Sequence, residues 1–214
     1  MKVVGSYGQD GYAHLQGLIE PSLASTFVRS ALKDVGRAAF PVTGKDATPR
    51  VIGRPVFQIH SDQYPALRFF LWGLTPLVGD MAGAELLPFS GLLRFYRAGD
   101  VCKIHSDRAS SEHGLSLTLE YSDGEPWPLE VGKADLPGPQ DRMTDGFDGE
   151  DYASIAMGPG DGVLYRGTHR RHGRLQPNPN RWSAHLFLFW VERDGPWAHH
   201  GAAKLDADSP VRFG

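Results

Sequence analysis

The sequence predicts a mainly β fold in which helices pack against a β-sandwich or barrel. Two stretches with helical periodicity lie in the first 84 residues, and from about residue 85 apolar residues recur at every second position. The chain of 214 residues has 26 glycines and 16 prolines without a short repeat, which favours many strands joined by turns. We expect a single domain across residues 1–214, because a chain of this length can bury a substantial core.

The predicted helices form an amino-terminal helical support at about residues 15–84. The first begins near Pro21, a residue suited to a first helical turn, and carries one apolar face of Leu23, Ala24, Phe27, Val28, Ala31, Leu32 and Val35. The second follows Pro65, with an apolar stripe of Leu67, Phe70, Leu71, Leu74, Leu77, Val78 and Met81. Pro76 is expected to kink or split this second helix.

The predicted strands form a β core at about residues 85–191, followed by a carboxy-terminal tail at 192–214. In the first strand Leu92, Arg94 and Tyr96 share one face. Further strands are predicted near residues 115–121, 155–157, 162–166 and 182–191. The last of these, WSAHLFLFWV, is apolar at nearly every position, as expected of a central strand covered on both faces.

The segment 122–151 differs from its surroundings in having nine acidic residues, many turn residues and little apolar content. A loop of this length is usually functional or disordered. We expect it to form a mobile wall of a substrate entrance, with a charge that favours neutral or cationic substrates.

Bulk charge and composition exclude several classes of protein. A net charge of −3 gives no general reason to bind nucleic acid, and no apolar run approaches the length of a membrane span. The start of the chain has no signal-peptide pattern, so a soluble, cytoplasmic protein is expected. The single cysteine, Cys102, rules out an internal disulfide and a cysteine-based zinc site, and is interpreted as a buried strand residue.

The tetrapeptide IHSD occurs twice, at His60 and at His105. The first copy precedes a predicted helix, where Ser61 and Asp62 would satisfy free amide groups. The second lies in a strand region, where residues two apart point the same way, so His105 and Asp107 can converge on one metal ion. A third ligand must come from elsewhere, and the segment GPGDGVLYRGTHRRHGR offers His169 and His172. Two histidines and one carboxylate on one side of a metal are typical of non-haem Fe(II) sites.

These motifs resemble the Fe(II)/2-oxoglutarate-dependent oxygenase superfamily, in which His-x-Asp is followed by a distant His and by Arg-x-Ser. The likeness covers about residues 91–191, and the runs nearest to a bacterial prolyl-hydroxylase-like branch are LLRFYRAGD, HSDRASSE, PWPLEV, PGDGVLYRG and RWSAHLFLFWV. In that branch the metal-binding His follows Tyr-Arg-Gly by five residues, which fits His172 and not His169. The resemblance implies that His105, Asp107 and His172 bind Fe(II) in a double-stranded β-helix, a cupin-like jelly roll.

A cluster of arginines offers a binding site for an acid. Arg166, Arg170, Arg171, Arg174 and Arg181 lie within 16 residues that contain no Asp or Glu. Arg181 opens the last predicted strand, on the same face as Ser183 and His185, where a lone charge needs an anionic partner. The resemblance implies that Arg181 and Ser183 clamp the distal carboxylate of 2-oxoglutarate. Tyr96, nine residues before His105, would add a hydrogen bond. Arg94 or Arg174 could share the clamp, and for Arg94 a structural salt bridge is an equal alternative.

The sequence therefore predicts an Fe(II)- and 2-oxoglutarate-dependent dioxygenase. It would hydroxylate a small-molecule or peptidyl substrate with O2 and release succinate and CO2. The alternatives are a metal-dependent cupin-like isomerase and a non-catalytic binding protein. Action on nucleic acid is disfavoured by the charge, and the prime substrate and oligomeric state stay open.

Overall fold

The computed structural model describes residues 1–36 and 48–201. Its helices are α1 (Tyr7–Asp10), α2 (Pro21–Gly36) and α3 (Ala66–Ala82). Its strands are β1 (Lys2–Val4), β2 (Tyr12–Gln16), β3 (Phe57–His60), β4 (Leu86–Arg97), β5 (Cys102–His105), β6 (His113–Tyr121), β7 (Leu129–Gly132), β8 (Tyr152–Ile155), β9 (Gly162–Arg166), β10 (His172–Arg174) and β11 (Trp182–Glu192). The prediction of a mainly β chain with a few helices is confirmed.

The strands form two antiparallel sheets. The larger has seven strands in the order β1-β2-β9-β6-β11-β4-β3, and the smaller has four in the order β5-β10-β7-β8. Every strand neighbour is antiparallel. The chain crosses repeatedly between the sheets, so residues distant in sequence become neighbours at the sheet edges.

Helices α2 and α3 cover one face of the larger sheet. The buried residues of this layer include Ala24 and Val28 of α2, Leu67 and Leu71 of α3, and Leu186 of β11. The opposite face of the sheet meets the smaller sheet, where Val163 packs with Leu129 and Val131. Strand β11 pairs with β4 on one side and with β6 on the other, so it is the central strand that its nearly continuous apolar sequence predicted.

Helix α3 runs unbroken through Pro76, so the predicted split is not observed. The buried face of the helix explains this, because Leu71 before the proline and Val78 after it are both packed against the sheet. The Thr75 hydroxyl donates to the Leu71 carbonyl and accepts from the Trp190 indole nitrogen, which anchors the helix beside the proline. Tertiary packing outweighs the local cost of one missing helical hydrogen bond.

The predicted boundary between helical support and β core near residue 85 does not divide the structure. Strand β2 pairs with β9, and β3 pairs with β4, so segments before residue 85 belong to the larger sheet. These strands are short, and β1 is exposed along its length, which explains why alternation alone did not reveal them. Of the predicted tail at 192–214, residues 202–214 lie outside the described residues. No helix in the described parts of the chain is long and apolar enough to cross a membrane.

The acidic segment 122–151 contains more regular secondary structure than its sequence predicts. It contains β7, a central strand of the smaller sheet that pairs with β10 and β8. Its acidic side chains mostly form ion pairs with basic residues: Asp123 with Arg181, Asp135 with Arg170, Asp141 with Arg50, Asp145 with Lys103, and Asp148 with Arg142 and Arg171. The inference from its charge toward neutral or cationic substrates therefore loses its basis.

The Arg171 side chain contacts the second half of this segment. Replacing Arg171 by alanine should therefore make local opening of these residues more frequent. The Arg171 guanidinium donates to the carbonyls of Phe147 and Gly146 and pairs with Asp148 and Glu150. Hydrogen bonds to a charged group are worth about 1.5–3 kcal/mol each. Arg171→Ala should therefore lower the local opening free energy by about 2 kcal/mol and speed amide exchange at residues 144–150 about 30-fold.

Arg142→Ala is the matched control, because Arg142 is 62% exposed and contacts the same Asp148 from outside. Hydrogen exchange followed by mass spectrometry compares the two variants with the parent. Exchange rates at 144–150 that are equal in Arg171→Ala and the parent would contradict this role of Arg171.

Candidate active site

Two histidines meet where β5 pairs with β10. The strand register places His105 opposite His172, and their ring centroids are 4.6 Å apart. Asp107 lies two residues beyond His105, with one carboxylate oxygen 3.7 Å from His105 Nε2 and the other 3.6 Å from His172 Nε2. The expected convergence of these three side chains is thus present.

The orientation of each imidazole is fixed by a backbone carbonyl. His105 Nδ1 lies 2.7 Å from the Lys103 oxygen, and His172 Nδ1 lies 3.0 Å from the Arg170 oxygen. A carbonyl oxygen can only accept, so each Nδ1 must carry the proton and donate it. Each ring therefore turns its Nε2 atom, the nitrogen left to bind a metal, toward Asp107.

Asp107 adds further acceptors to the same space. Burial alone would raise its pKa, but His172 and His105 hold the pKa of this carboxyl well below its usual range. Its Oδ2 atom is buried and has no hydrogen-bond partner among residues 1–36 and 48–201. The two Nε2 atoms and the ionised carboxylate therefore face one space, with nitrogen–oxygen distances of 3.6 and 3.7 Å, an arrangement that a metal cation can complete. The N2O donor set suits a first-row divalent metal.

The other candidate histidines lie outside this cluster. His169 Nδ1 contacts the Thr168 hydroxyl at 2.8 Å, and its ring packs near Trp197. His60 lines a cavity beside the three converging side chains, but its ring nitrogens do not lie within ligand distance of them. Ser61 accepts a hydrogen bond from the Gly91 amide, so the expectation that it caps the following helix is wrong. Ser61 directly follows β3, and this hydrogen bond joins it to β4 instead of to the helix.

A cavity of about 720 Å³ opens beside the three converging side chains. Its lining includes the predicted inward face of β4, Leu92, Arg94 and Tyr96, which confirms that these residues share one side of the strand. Cys102, on β5, is buried as expected and also lines the cavity.

Two buried guanidiniums line this cavity. Arg94 donates to Gln58 Oε1 at 3.0 Å and to the Tyr96 hydroxyl at 3.2 Å. Arg174 lies 4.4 Å from the centre of the Trp127 ring, donates to the Trp127 carbonyl, and contacts His185. Within the described chain neither guanidinium is paired with a carboxylate, so the salt bridge considered for Arg94 is absent. Buried cations without an acidic partner favour binding of an anion in the cavity.

Arg181 does not line this cavity, and the expectation that it shares a strand face with Ser183 is wrong. Its side chain is 78% exposed, and its backbone amide and Nε donate to Asp123 at 2.7 and 2.8 Å. The physical reason is that β11 begins at Trp182, so Arg181 precedes the alternation of the strand. Ser183 is fully buried, where it accepts from Asn178 Nδ2 and contacts His185 Nε2. Of the three residues predicted to bind 2-oxoglutarate, only Tyr96 lines the cavity.

Two residues that sequence reasoning missed support the converging side chains. The Tyr165 ring lies 4.2 Å from the His172 ring. Gly167 accepts a hydrogen bond from the Asp107 amide, and a Cβ atom at Gly167 would lie 2.5 Å from Asp107 Oδ2. Both belong to the Tyr-Arg-Gly run that precedes His172, which is the signal that could have identified them.

Gly167→Ala should displace the Asp107 carboxylate and the Ser111 backbone carbonyl, each of which would lie within 2.5 Å of the new Cβ, and so weaken metal binding. Changes to residues that orient metal ligands typically cost about 10–100-fold in affinity, and we expect a loss in this range. Gly73→Ala is the control, because a Cβ there meets no atom within 4 Å. Isothermal titration of both variants with Fe(II) or Co(II) measures the effect. Parent-like affinity in a folded Gly167→Ala protein would show that this contact does not position Asp107.

Comparison with solved structures identifies the fold. The chain superimposes on the carbocyclase SnoK from nogalamycin biosynthesis, with TM-score 0.67 and 12% identity over 88% of this chain and 82% of that one. It also matches a prolyl-4-hydroxylase from Pseudomonas putida, with TM-score 0.63 and 14% identity over 87% and 95% of the two chains. The epimerase SnoN, solved with Fe³⁺, α-ketoglutarate and nogalamycin RO, gives TM-score 0.65 and 14% identity over 97% and 91%.

No family model and no curated protein matches the sequence. At these identities the structural likeness establishes the fold alone, which is the fold of α-ketoglutarate-dependent non-haem enzymes.

Proposed function

We propose that the protein is an Fe(II)- and 2-oxoglutarate-dependent oxygenase built as one domain on a double-stranded β-helix, or jelly roll. The observation that carries the proposal is the convergence of His105 Nε2, His172 Nε2 and the Asp107 carboxylate, whose Oδ2 has no hydrogen-bond partner in the described chain. The solved structures of the same fold support it, since several are described as α-ketoglutarate-dependent enzymes.

The metal would be held by His105, Asp107 and His172. Three protein ligands leave coordination positions open, which a catalytic site requires and a closed structural site does not. Bound iron would supply the oxygen chemistry that side chains lack, with 2-oxoglutarate converted to succinate and CO2. The chain contributes the rest by fixing both imidazoles through Nδ1, burying the carboxylate, and shielding the site from water.

Arg94, Arg174 and Tyr96 are proposed to bind 2-oxoglutarate in place of the pair predicted from sequence. A dicarboxylic acid needs a cationic partner for the carboxylate that is remote from the metal. Arg94 and Arg174 are buried cations without an acidic partner in the described chain, and the Tyr96 hydroxyl already contacts Arg94. Burial raises the pKa of Tyr96 to about 12, so this phenol keeps its proton and can donate it to a carboxylate.

The prime substrate is proposed to be a small molecule or peptide that carries an anionic group. A second cavity of about 870 Å³ adjoins the first and shares His60 and Arg108 with it. It offers the aromatic rings of Trp72 and Phe89 together with Arg68. Apolar walls with a few positive groups suit an apolar acid better than a cation, which reverses the charge preference expected from the acidic segment.

A metal-dependent isomerase or a binding protein on this fold remains the competing function. The buried guanidiniums favour the oxygenase, because an isomerase has no need of a dicarboxylate cosubstrate. The test is a titration of the Fe(II)-loaded protein with 2-oxoglutarate without oxygen, following the absorption of the chelate. Succinate is then measured after oxygen is admitted, with a panel of carboxylic acids and their amides.

The expected result is saturable binding of 2-oxoglutarate and substrate-dependent succinate with the acids. No binding of 2-oxoglutarate by the metal-loaded protein would favour the isomerase. No metal binding at all would favour the non-catalytic binding protein.

A further inference from the structure

A second group of potential metal ligands lies where β6 begins and β11 ends. Glu112 follows the 3₁₀ turn Ala109–Ser111, His113 is the first residue of β6, and Glu192 is the last residue of β11. The antiparallel register of the two strands brings these ends together. One ligand atom from each side chain lies within 4.8 Å of the others.

His113 has the properties of a potential metal ligand. It is only 4% exposed, and its Nε2 atom has no hydrogen-bond partner in the parts of the chain that the structure describes. That atom lies 3.5 Å from Glu192 Oε1. On the other side of the ring, Nδ1 lies 2.5 Å from the Tyr7 hydroxyl, a contact that fixes the ring in place. Metal-binding imidazoles are commonly oriented in this way through their other nitrogen.

The two carboxylates of the group are close to each other and partly desolvated. Glu112 Oε2 accepts a hydrogen bond from the Glu192 amide at 2.9 Å, which leaves its second oxygen for another partner. The two carboxylates repel each other when both are ionised, because their ligand atoms lie within 4.8 Å of one another. A cation between the carboxylates would relieve this repulsion.

The group shares two features with the candidate active site. In both, a buried acceptor lacks a partner within the described residues: Asp107 Oδ2 in one and His113 Nε2 in the other. In both, an imidazole nitrogen faces a carboxylate oxygen at 3.5–3.7 Å. The nearby Arg166, whose guanidinium lies 5.9 Å from the centre of the Tyr7 ring, offsets part of the negative charge.

We propose that Glu112, His113 and Glu192 form a second divalent-cation site, separate from the active site and suited to Zn²⁺. One imidazole and two carboxylates are ligands that zinc accepts, with a fourth position left for water. The cation would join the start of β6 to the end of β11. It would also lie near the active site, because the Glu112 carbonyl accepts from the Gly167 amide and the Gly167 carbonyl accepts from the Asp107 amide.

The experiment measures Zn²⁺ binding in a full chain that carries His105→Ala and Asp107→Ala. These changes remove the candidate active-site ligands, so the result does not depend on the proposed oxygenase function. Equilibrium dialysis against Zn²⁺ with metal analysis should still find one equivalent bound. Adding Glu192→Gln should remove that equivalent, whereas adding Glu85→Gln should retain it, since Glu85 is exposed and pairs with Arg193.

A folding control uses thermal unfolding. The Glu192 side chain is 41% exposed, so glutamine should be tolerated without metal, and only the rise in unfolding temperature caused by Zn²⁺ should disappear. Absence of Zn²⁺ binding in the double variant, or binding unaffected by Glu192→Gln, would overturn the proposal.

Discussion

Replacing Asp107 by alanine should abolish stable Fe(II) binding, whereas His60→Ala should leave it nearly unchanged. Asp107 supplies the only carboxylate that faces both His105 Nε2 and His172 Nε2 among the described residues. Altering groups that merely orient ligands costs about 10–100-fold in metal affinity, so loss of a ligand should exceed about 100-fold. His60 belongs to the other IHSD copy and lines the cavity without joining the cluster.

The measurement is an anaerobic Fe(II) or Co(II) titration of Asp107→Ala, Asp107→Asn, His172→Ala and His60→Ala. Asp107→Asn keeps the shape of the side chain and removes its charge, so it separates packing from ligation. His169→Ala should retain binding, since His169 contacts Thr168 and Trp197 outside the cluster. The assignment would be contradicted if His60→Ala were the only variant to lose metal binding. It would also be contradicted if His169→Ala lost metal binding while His172→Ala kept it.

Local periodicity could not separate the two IHSD copies, because His60 ends β3 just as His105 ends β5. The sheet register separates them, since it places His105 opposite His172. The sequence also could not show that both Nε2 atoms turn toward Asp107. That feature depends on the β5–β10 register and on two backbone carbonyls that fix the imidazole protons. Gly167 is similar, since its requirement follows from a contact with a residue 60 positions earlier rather than from any local pattern.

Arg181 shows that a spacing that fits a family motif does not determine where the side chain points. Its distance from His172 fits the resemblance, but whether it points inward depends on where β11 begins and on Asp123, which lies 58 residues earlier. The same limit applies to β7, which was predicted as irregular loop. Its four residues are flanked by prolines and acidic residues, and only pairing with β8 and β10 makes them a strand.

Arg94→Ala and Arg174→Ala should each weaken 2-oxoglutarate binding strongly, whereas Arg181→Ala should have little effect. Removing one partner of a buried, hydrogen-bonded charge pair typically costs about 3–5 kcal/mol, or roughly a hundredfold to a few thousandfold in affinity. Arg94 and Arg174 are 9% and 3% exposed, so their interaction with a bound carboxylate would be shielded from water. Arg181 is exposed and already paired with Asp123, so water and an existing partner reduce its contribution to any ligand.

The measurement is a 2-oxoglutarate titration of each Fe(II)-loaded variant without oxygen, with Fe(II) affinity measured separately. Fe(II) affinity should persist in all three variants, because His105, Asp107 and His172 are unchanged, and it serves as the check of folding. Arg94→Lys should recover only part of the binding, since a point charge cannot reproduce two parallel hydrogen bonds to a carboxylate. Tyr96→Phe should cost less, about 1.5–3 kcal/mol, as the loss of one hydrogen bond to a charged group. Normal affinity in both Arg94→Ala and Arg174→Ala, together with a large loss in Arg181→Ala, would return the clamp to the residue predicted from sequence. It would then follow that Arg181 leaves Asp123 and turns inward when the cosubstrate binds.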